Sequence, residues 1–254
     1  MKKIKNLLYQ IIPLVAFLSL WELFTMNSPR NTFLFSRPSK VIAKLIEKIS
    51  DGELIHHFGV TAFEAFAGLV LGVLVGSIIG FLLLYFPKVS KISKYYVIAL
   101  SSIPIFAIAP MMIIWFGIGI KMKVAMAFFS TVFVAIFQAY QGGQNINKRD
   151  AEFFKLNGAS DKQRFWKLTF PSSIDWLIQS LKLNSGLAVL GAFIGEFIAS
   201  DKGLGFIIIR ASGLYDVSYV LAATICIIIL TLIFNLGATF IEKNKLKIIR
   251  RISV

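Results

Sequence analysis

Six apolar runs, each about as long as a bilayer's hydrocarbon core is thick, dominate this 254-residue chain. They cover residues 7–26, 58–86, 95–119, 124–140, 176–198 and 219–241. In lipid every backbone N–H and C=O must be satisfied within the protein, so runs of this length become helices. The expected fold class is all-α: a polytopic membrane protein of about six transmembrane helices, forming one domain over residues 1–254. The hydrophobic share of 57% exceeds the roughly 45–50% of soluble chains and agrees. A cleaved secretory signal is disfavoured for the first run, which is long and has no small-x-small site before Asn27.

The net charge of +14 is distributed as topology signals around the apolar runs. With the N-terminus inside, cytoplasmic segments carry 17 of the 27 Lys and Arg, external segments carry nine, and Lys182 lies within a crossing. The excess predicts a multi-pass protein with both termini cytoplasmic. The basic residues form no separate basic domain, which speaks against a nucleic-acid partner. Lys121 and Lys123 are expected in a tight turn before residues 124–140, on the external side. The segment SRPSKVIAKLIEKISDG has Val41, Ile42, Leu45, Ile46 and Ile49 at helical spacing, with Pro38 at its start and Gly52 at its end. It should form a short amphipathic helix at the outer membrane surface. Adjacent His56 and His57 point in different directions on a helix, and no clustered His/Asp/Glu set suits a metal. Cys226, alone in an apolar run, suits a small core residue.

Gly68, Gly72, Gly76 and Gly80 repeat every four residues and make a smooth ridge, suited to close helix approach in lipid. Glu64 falls one step back on the same stripe and should face protein. It is either a functional carboxylate or a buried structural one. Pro104 and Pro110 in IPIFAIAPMMIIWFGIGI free carbonyls within the membrane. A broken helix lining a path and a kinked packing helix both fit them. Lys182, Ser185, Ala192 and Glu196 share one side of the fifth run, with Lys182 and Glu196 roughly 21 Å apart along it and unable to pair. That polar stripe suggests the bundle interior or an aqueous path. Path candidates are therefore Glu64, Pro104, Pro110, Ser185 and Glu196.

Between the fourth and fifth runs lies a polar, basic island, residues 150–171, containing EFFKLNGASDKQRFWKLTFP. Gly158 permits a positive φ at the end of one short helix, and Ser160 with Gln163 forms a capping-box pattern for the next. Pro171 is expected to stop that second helix. Phe153, Phe154, Leu156, Phe165 and Trp166 would offer an apolar surface. An ordinary helix-turn-helix without a partner would also fit these residues.

The island resembles the EAA loop of permease subunits in ATP-driven, binding-protein-dependent ABC importers. That pattern has a Glu, two Ala, a Gly four residues further on, and Ile-x-Leu-Pro after nine more. Glu152, Gly158 and Pro171 match in place, with Leu168 and Phe170 for the Ile and Leu. Phe153 and Phe154 depart from the two Ala. The run through Pro104, Ala107, Pro110 and Trp115-Phe116-Gly117 is similar to the branch importing aliphatic sulfonates, taurine, nitrate or thiamine-precursor pyrimidines. Glu196 in FIGEF and Gly203-Leu204-Gly205-Phe206 are similar to segments that relatives carry.

The resemblance implies a type I importer permease in the bacterial cytoplasmic membrane, paired with itself, two cytoplasmic ATPase subunits and an external solute-binding protein. Glu152, Phe153, Phe154, Gly158, Ala159, Ser160 and Pro171 would dock the ATPase. No G-x-x-x-x-G-K-S/T phosphate loop occurs in the sequence. ATP is therefore expected in the partner, with no cofactor bound by this chain and no enzymatic activity of its own. The competing function is a secondary transporter using Glu64 or Glu196 as an ion site, although no internal repeat of the kind common in such carriers is evident.

Overall fold

A computed structural model describes residues 2–244. Among them it has twelve α-helices, one π-helical turn and no strand. Lys245, Lys247, Arg250 and Arg251, counted above as cytoplasmic, lie outside the described residues. The helices are α1 Lys2–Met26, α2 Pro29–Phe35, α3 Pro38–Ser50, α4 Glu53–Tyr85, α5 Pro87–Ser101, α6 Ile105–Phe116 and α7 Ile120–Gln144. They continue as α8 Lys148–Leu156, α9 Asp161–Arg164, a π turn Phe165–Thr169, α10 Phe170–Ile198, α11 Leu204–Gly213 and α12 Val217–Lys243. Four rods are long and apolar enough to cross a bilayer: α4, α7, the continuous Asp161–Ile198 helix, and α12. The pair Tyr95–Ser101 and Ile105–Phe116, bent by 88°, makes a fifth if taken as one span. The apolar part of α1, Ile11–Met26, is shorter.

α7 is the central strut, with α4 packed parallel to it and α10 antiparallel, and α4 and α10 also touch each other. The glycine ridge of α4 lies directly on α7. A Cβ added to Gly68 would stand 2.3 Å from Ala127 Cβ, one on Gly72 1.9 Å from Thr131 Oγ1, and one on Gly80 2.5 Å from Ala139 Cβ. α7 thus carries a matching stripe of small residues, Ala127, Thr131, Ala135 and Ala139, each 59 positions after its partner on α4. A second close seam joins α7 to α10, where Gly191 meets Ala127 and Ser130, and Gly142 meets Ser173 and Trp176. Lipid tails are as apolar as leucine, so this dense backbone contact, rather than exclusion of water, holds the three rods together.

α12 and α11 complete one end through Leu204, Ile207, Ala211, Tyr219, Ala222 and Ala223. The amphipathic α3 inserts Val41 there and leaves Ile42, Ile46 and Ile49 exposed. At its C-terminus the Lys48 ammonium reaches Asp51 at 3.0 Å and Glu53 at 2.8 Å. These carboxylates hold Lys48 well above the usual lysine range. Asp51 is held low by the Glu53 N–H and Lys48.

Two sequence expectations are corrected. Pro171 does not stop the second short helix. That helix passes through the π turn, where Phe170 N–H reaches back to Phe165 O, and continues into α10 with Pro171 in its first turn. There its missing N–H is tolerated, because the wider turn has already shifted the hydrogen-bond pattern. Lys123 is not in an exposed turn. Gly119 precedes α7, which starts at Ile120, so Lys123 sits in the first turn and is only 3% exposed.

Candidate functional site

Two polar assemblies stand at opposite ends of the α4–α7–α10 core. The first begins where α4 and α7 start and α10 ends. Glu64 and Lys123 form an extra rung of the α4–α7 ladder, again 59 positions apart, with Lys123 Nζ 2.8 Å from Glu64 Oε1 and both side chains buried. The Glu196 carboxyl lies beside that of Glu64. Glu196 Oε1 accepts from Thr61 Oγ1 at 2.6 Å and Oε2 from Gly205 N–H at 2.8 Å. Thr61 Oγ1 accepts from Leu204 N–H at 2.9 Å, and His57 Nδ1 from Gly203 N–H at 2.9 Å. Lys123 also donates to Ser200 Oγ at 3.0 Å. Gly203 has φ +107°, and a Cβ there would fall 2.1 Å from Glu196 Oε1, so only glycine fits against the carboxyl.

Glu64 and Glu196 therefore meet, although 132 residues separate them. Ser185 does not join them: it is buried further along α10 and donates to Leu181 O at 2.7 Å. Lys182 pairs with Glu242 of α12 at 2.7 Å. Pro104 precedes α6 at the bend and Pro110 lies within α6; both are exposed. Beneath the bend, between α6, α7 and α10, is a cavity of about 420 Å³ lined by Ser101, Met112, Trp115, Phe129, Ser130 and Phe133 among others, with no charged side chain. His57, Thr61 and Lys123 were not singled out as site residues from sequence. The Lys123-x3-Ala127-x3-Thr131 spacing, aligned with Glu64-x3-Gly68-x3-Gly72, is the signal that could have found Lys123.

The second assembly is the 148–169 loop. Asn147 caps α8 by accepting from Arg149 N–H at 3.0 Å. After Leu156 the chain turns at Gly158, whose φ is +67°, and Ala159 N–H returns to Phe154 O at 3.0 Å. The reciprocal capping box follows: Gln163 N–H to Ser160 Oγ at 3.3 Å, and Ser160 N–H to Gln163 Oε1 at 2.9 Å. Asp161 pairs with Arg164. Phe165 stacks edgewise on Tyr85 at 5.2 Å, tying the loop to the end of α4. The loop's apolar side chains stay largely uncovered: Phe153 is 64% exposed, Leu156 87% and Trp166 54%, with Glu152 exposed beside them. This short helical element, capped at both turns, leaves a Phe, a Leu and a Trp outward.

Residues 68–247 match the family described as binding-protein-dependent transport system inner membrane component. The chain belongs to this family. The permease is 29% identical over 238 residues to the formylaminopyrimidine transport permease protein ThiX of Halalkalibacterium halodurans, covering 92% of this chain and 94% of that one. It is 22% identical over 240 residues to the putative aliphatic sulfonates transport permease protein SsuC of Bacillus subtilis, covering 94% and 86%. Its fold is similar to that in inward facing conformations of the MetNI methionine ABC transporter, with a TM-score of 0.66 at 16% identity over 82% of this chain and 99% of that one. The permease is therefore a multi-pass membrane component of a binding-protein-dependent ABC import system, with the type I permease fold.

Proposed function

We propose that the permease forms the translocation path of an ATP-driven importer as a homodimer, docking two cytoplasmic ATPase subunits through residues 150–171 and receiving its solute from an external binding protein. The observation that carries this is the capped 148–169 loop with Phe153, Leu156 and Trp166 outward at one end of the bundle. Glu152, Phe153, Phe154, Gly158, Ala159, Ser160 and Pro171 form or shape that dock. The excess of basic residues supports a cytoplasmic position for the loop and both termini, in the inner membrane. The Glu64–Glu196 end then faces outward. ATP acts in the partner: closure of the ATPases moves the docked loops and favours one of two states of the bundle through differential contacts.

For the cargo, we favour a small heteroaromatic such as a thiamine-precursor pyrimidine over a sulfonate or nitrate. Trp115, Phe129 and Phe133 give flat surfaces for a ring and Ser101 and Ser130 give hydroxyls, whereas no cation lines the cavity to compensate an anion. The greater similarity to ThiX than to SsuC points the same way. The test uses proteoliposomes holding the permease with the ATPase and binding protein encoded beside it, given labelled formylaminopyrimidine and taurine in parallel. Formylaminopyrimidine uptake should require enclosed MgATP and survive a protonophore. Uptake driven by a proton or sodium gradient without ATP would overturn the importer assignment, and MgATP-dependent uptake of taurine alone would overturn the cargo.

A further inference from the structure

The C-terminal end of α1 is fastened to the two helices that follow it. Glu22 accepts from Ser39 N–H at 3.0 Å and from Ser39 Oγ at 2.8 Å, and Thr32 Oγ1 donates to Thr25 O at 2.6 Å. Phe24 packs on Phe35 with ring centroids 5.9 Å apart. One face of α1, with Phe17, Leu20, Trp21 and Phe24, lines an apolar cleft of about 540 Å³ whose other wall is Val217 and Leu221 of α12. Leu34 and Phe35 of α2 complete the lining.

Val217 also lines a second pocket, of about 450 Å³, so the two adjoin there and along α2. The second pocket is polar, with Thr32, Ser36, Arg37 and Lys40 on one side and Asp216 and Ser218 on the other. Its walls are joined: Ser36 Oγ lies 2.8 Å from Ser218 Oγ, and the rings of Phe33 and Tyr215 stack at 6.2 Å. Ser36 and Tyr215, at φ 55° and 57°, are the two non-glycine residues with positive φ among the described residues, and both line this pocket. Such conformations persist where the surrounding structure fixes them, so the pocket is preformed.

Its charges are unbalanced. Asp216 is engaged, accepting from Tyr219 N–H at 3.0 Å through Oδ1 and lying 3.7 Å from Lys44 Nζ through Oδ2. Both oxygens of the nearby Glu22 are taken by Ser39. Arg37 spends Nε on Thr32 Oγ1 and one Nη on Met26 O, which leaves its other Nη unbonded. Lys40 is exposed and makes no ion pair among the described residues. Two cations are thus offered to an anion, and no free carboxylate is offered to an ammonium group. The pocket lies where α1 ends and α3 and α12 begin, the level of the headgroup boundary, and the apolar cleft runs from it along α1 and α12. Cations at that level attract anionic headgroups.

We propose that an anionic glycerophospholipid of the phosphatidylglycerol type binds here, with its phosphate against Arg37 and Lys40 and an acyl chain in the cleft between α1 and α12. The lipid ties α1 to the rest of the bundle. A helix of a second copy could fill the cleft but would leave the two cations without an anion. The inference needs only insertion in a membrane, so it stands or falls separately from the ATP-driven importer assignment.

Native mass spectrometry of the permease in detergent micelles, given equal amounts of phosphatidylglycerol and phosphatidylethanolamine with identical acyl chains, measures the preference. The wild type should retain phosphatidylglycerol at least fivefold over phosphatidylethanolamine, and excess inorganic phosphate should not displace it. Lys40→Gln should lower that preference and Lys40→Glu should remove it. Leu20→Trp, which adds bulk to the cleft from a position 67% exposed, should weaken retention of both lipids at least fivefold. Lys202→Glu, at an exposed lysine outside the pocket, should change neither. Size-exclusion profiles check that each variant is folded. Equal retention of the two lipids by the wild type, displacement by phosphate, or a preference that survives both Lys40 substitutions would overturn the site. A wild-type dimer that retains no lipid and comes apart with Leu20→Trp would overturn it in favour of a second copy in the cleft.

Discussion

Replacing Gly72 with leucine should abolish accumulation of folded permease in the membrane, and even Gly72→Ala should lower its thermal stability sharply. The alanine Cβ would stand 1.9 Å from Thr131 Oγ1 and 3.1 Å from Phe128 O, so α4 must move away from α7 along the seam. Overpacking costs about 1–3 kcal/mol where side chains can adjust, and more where backbones must separate. For a chain of this size about 3 kcal/mol corresponds to a fall in Tm of roughly 6–12 °C. Gly59→Ala, on the same helix with nothing within 4 Å of the added Cβ, is the control. It should be neutral or slightly stabilising, since alanine is favoured over glycine in a helix by about 1 kcal/mol. Thermal unfolding in detergent, followed by size-exclusion chromatography, measures all three.

Lys123→Met should destabilise the permease by about 3–5 kcal/mol, because it leaves the fully buried Glu64 carboxylate without its cation. Adding Glu64→Gln should restore most of that loss, since the doubly substituted site carries no unpaired charge. A double-mutant cycle on Tm reads the coupling. A double variant that loses the sum of the two single losses would show that the ion pair does not join α4 to α7.

What could be read in advance was local. Ser160 and Gln163 are three residues apart, so their reciprocal bonds follow from spacing alone, and Gly158 takes the left-handed φ that its place after a short helix implies. The four-residue glycine period placed Glu64 on the packed face. What escaped depends on partners far apart in sequence. Lys123 looked like the second lysine of a turn, because Gly117 and Gly119 precede it and its acceptor lies 59 residues upstream. The Gly203–Gly205 contacts with His57 and Thr61 span more than 140 residues and leave no periodic trace. Pro171 misled because a proline normally interrupts helical hydrogen bonding, whereas here a π turn absorbs it. Lys182, placed on a polar stripe, finds its carboxylate at the end of α12.

The proposed docking of an ATPase on the 148–169 loop is the central claim about this permease, and copurification tests it most directly. The tagged permease, expressed with its neighbouring genes and extracted in mild detergent, should bring down an ATPase in stoichiometric amount. Leu156→Asp combined with Phe153→Asp places charge on two exposed positions, where Phe153 meets the ring of its neighbour Phe154 and neither side chain belongs to the buried core, so the variant should remain folded yet lose the ATPase at least tenfold. Recovery of the ATPase at the wild-type level with that variant, or of a folded wild-type permease with no ATPase at all, would contradict docking through the 148–169 loop.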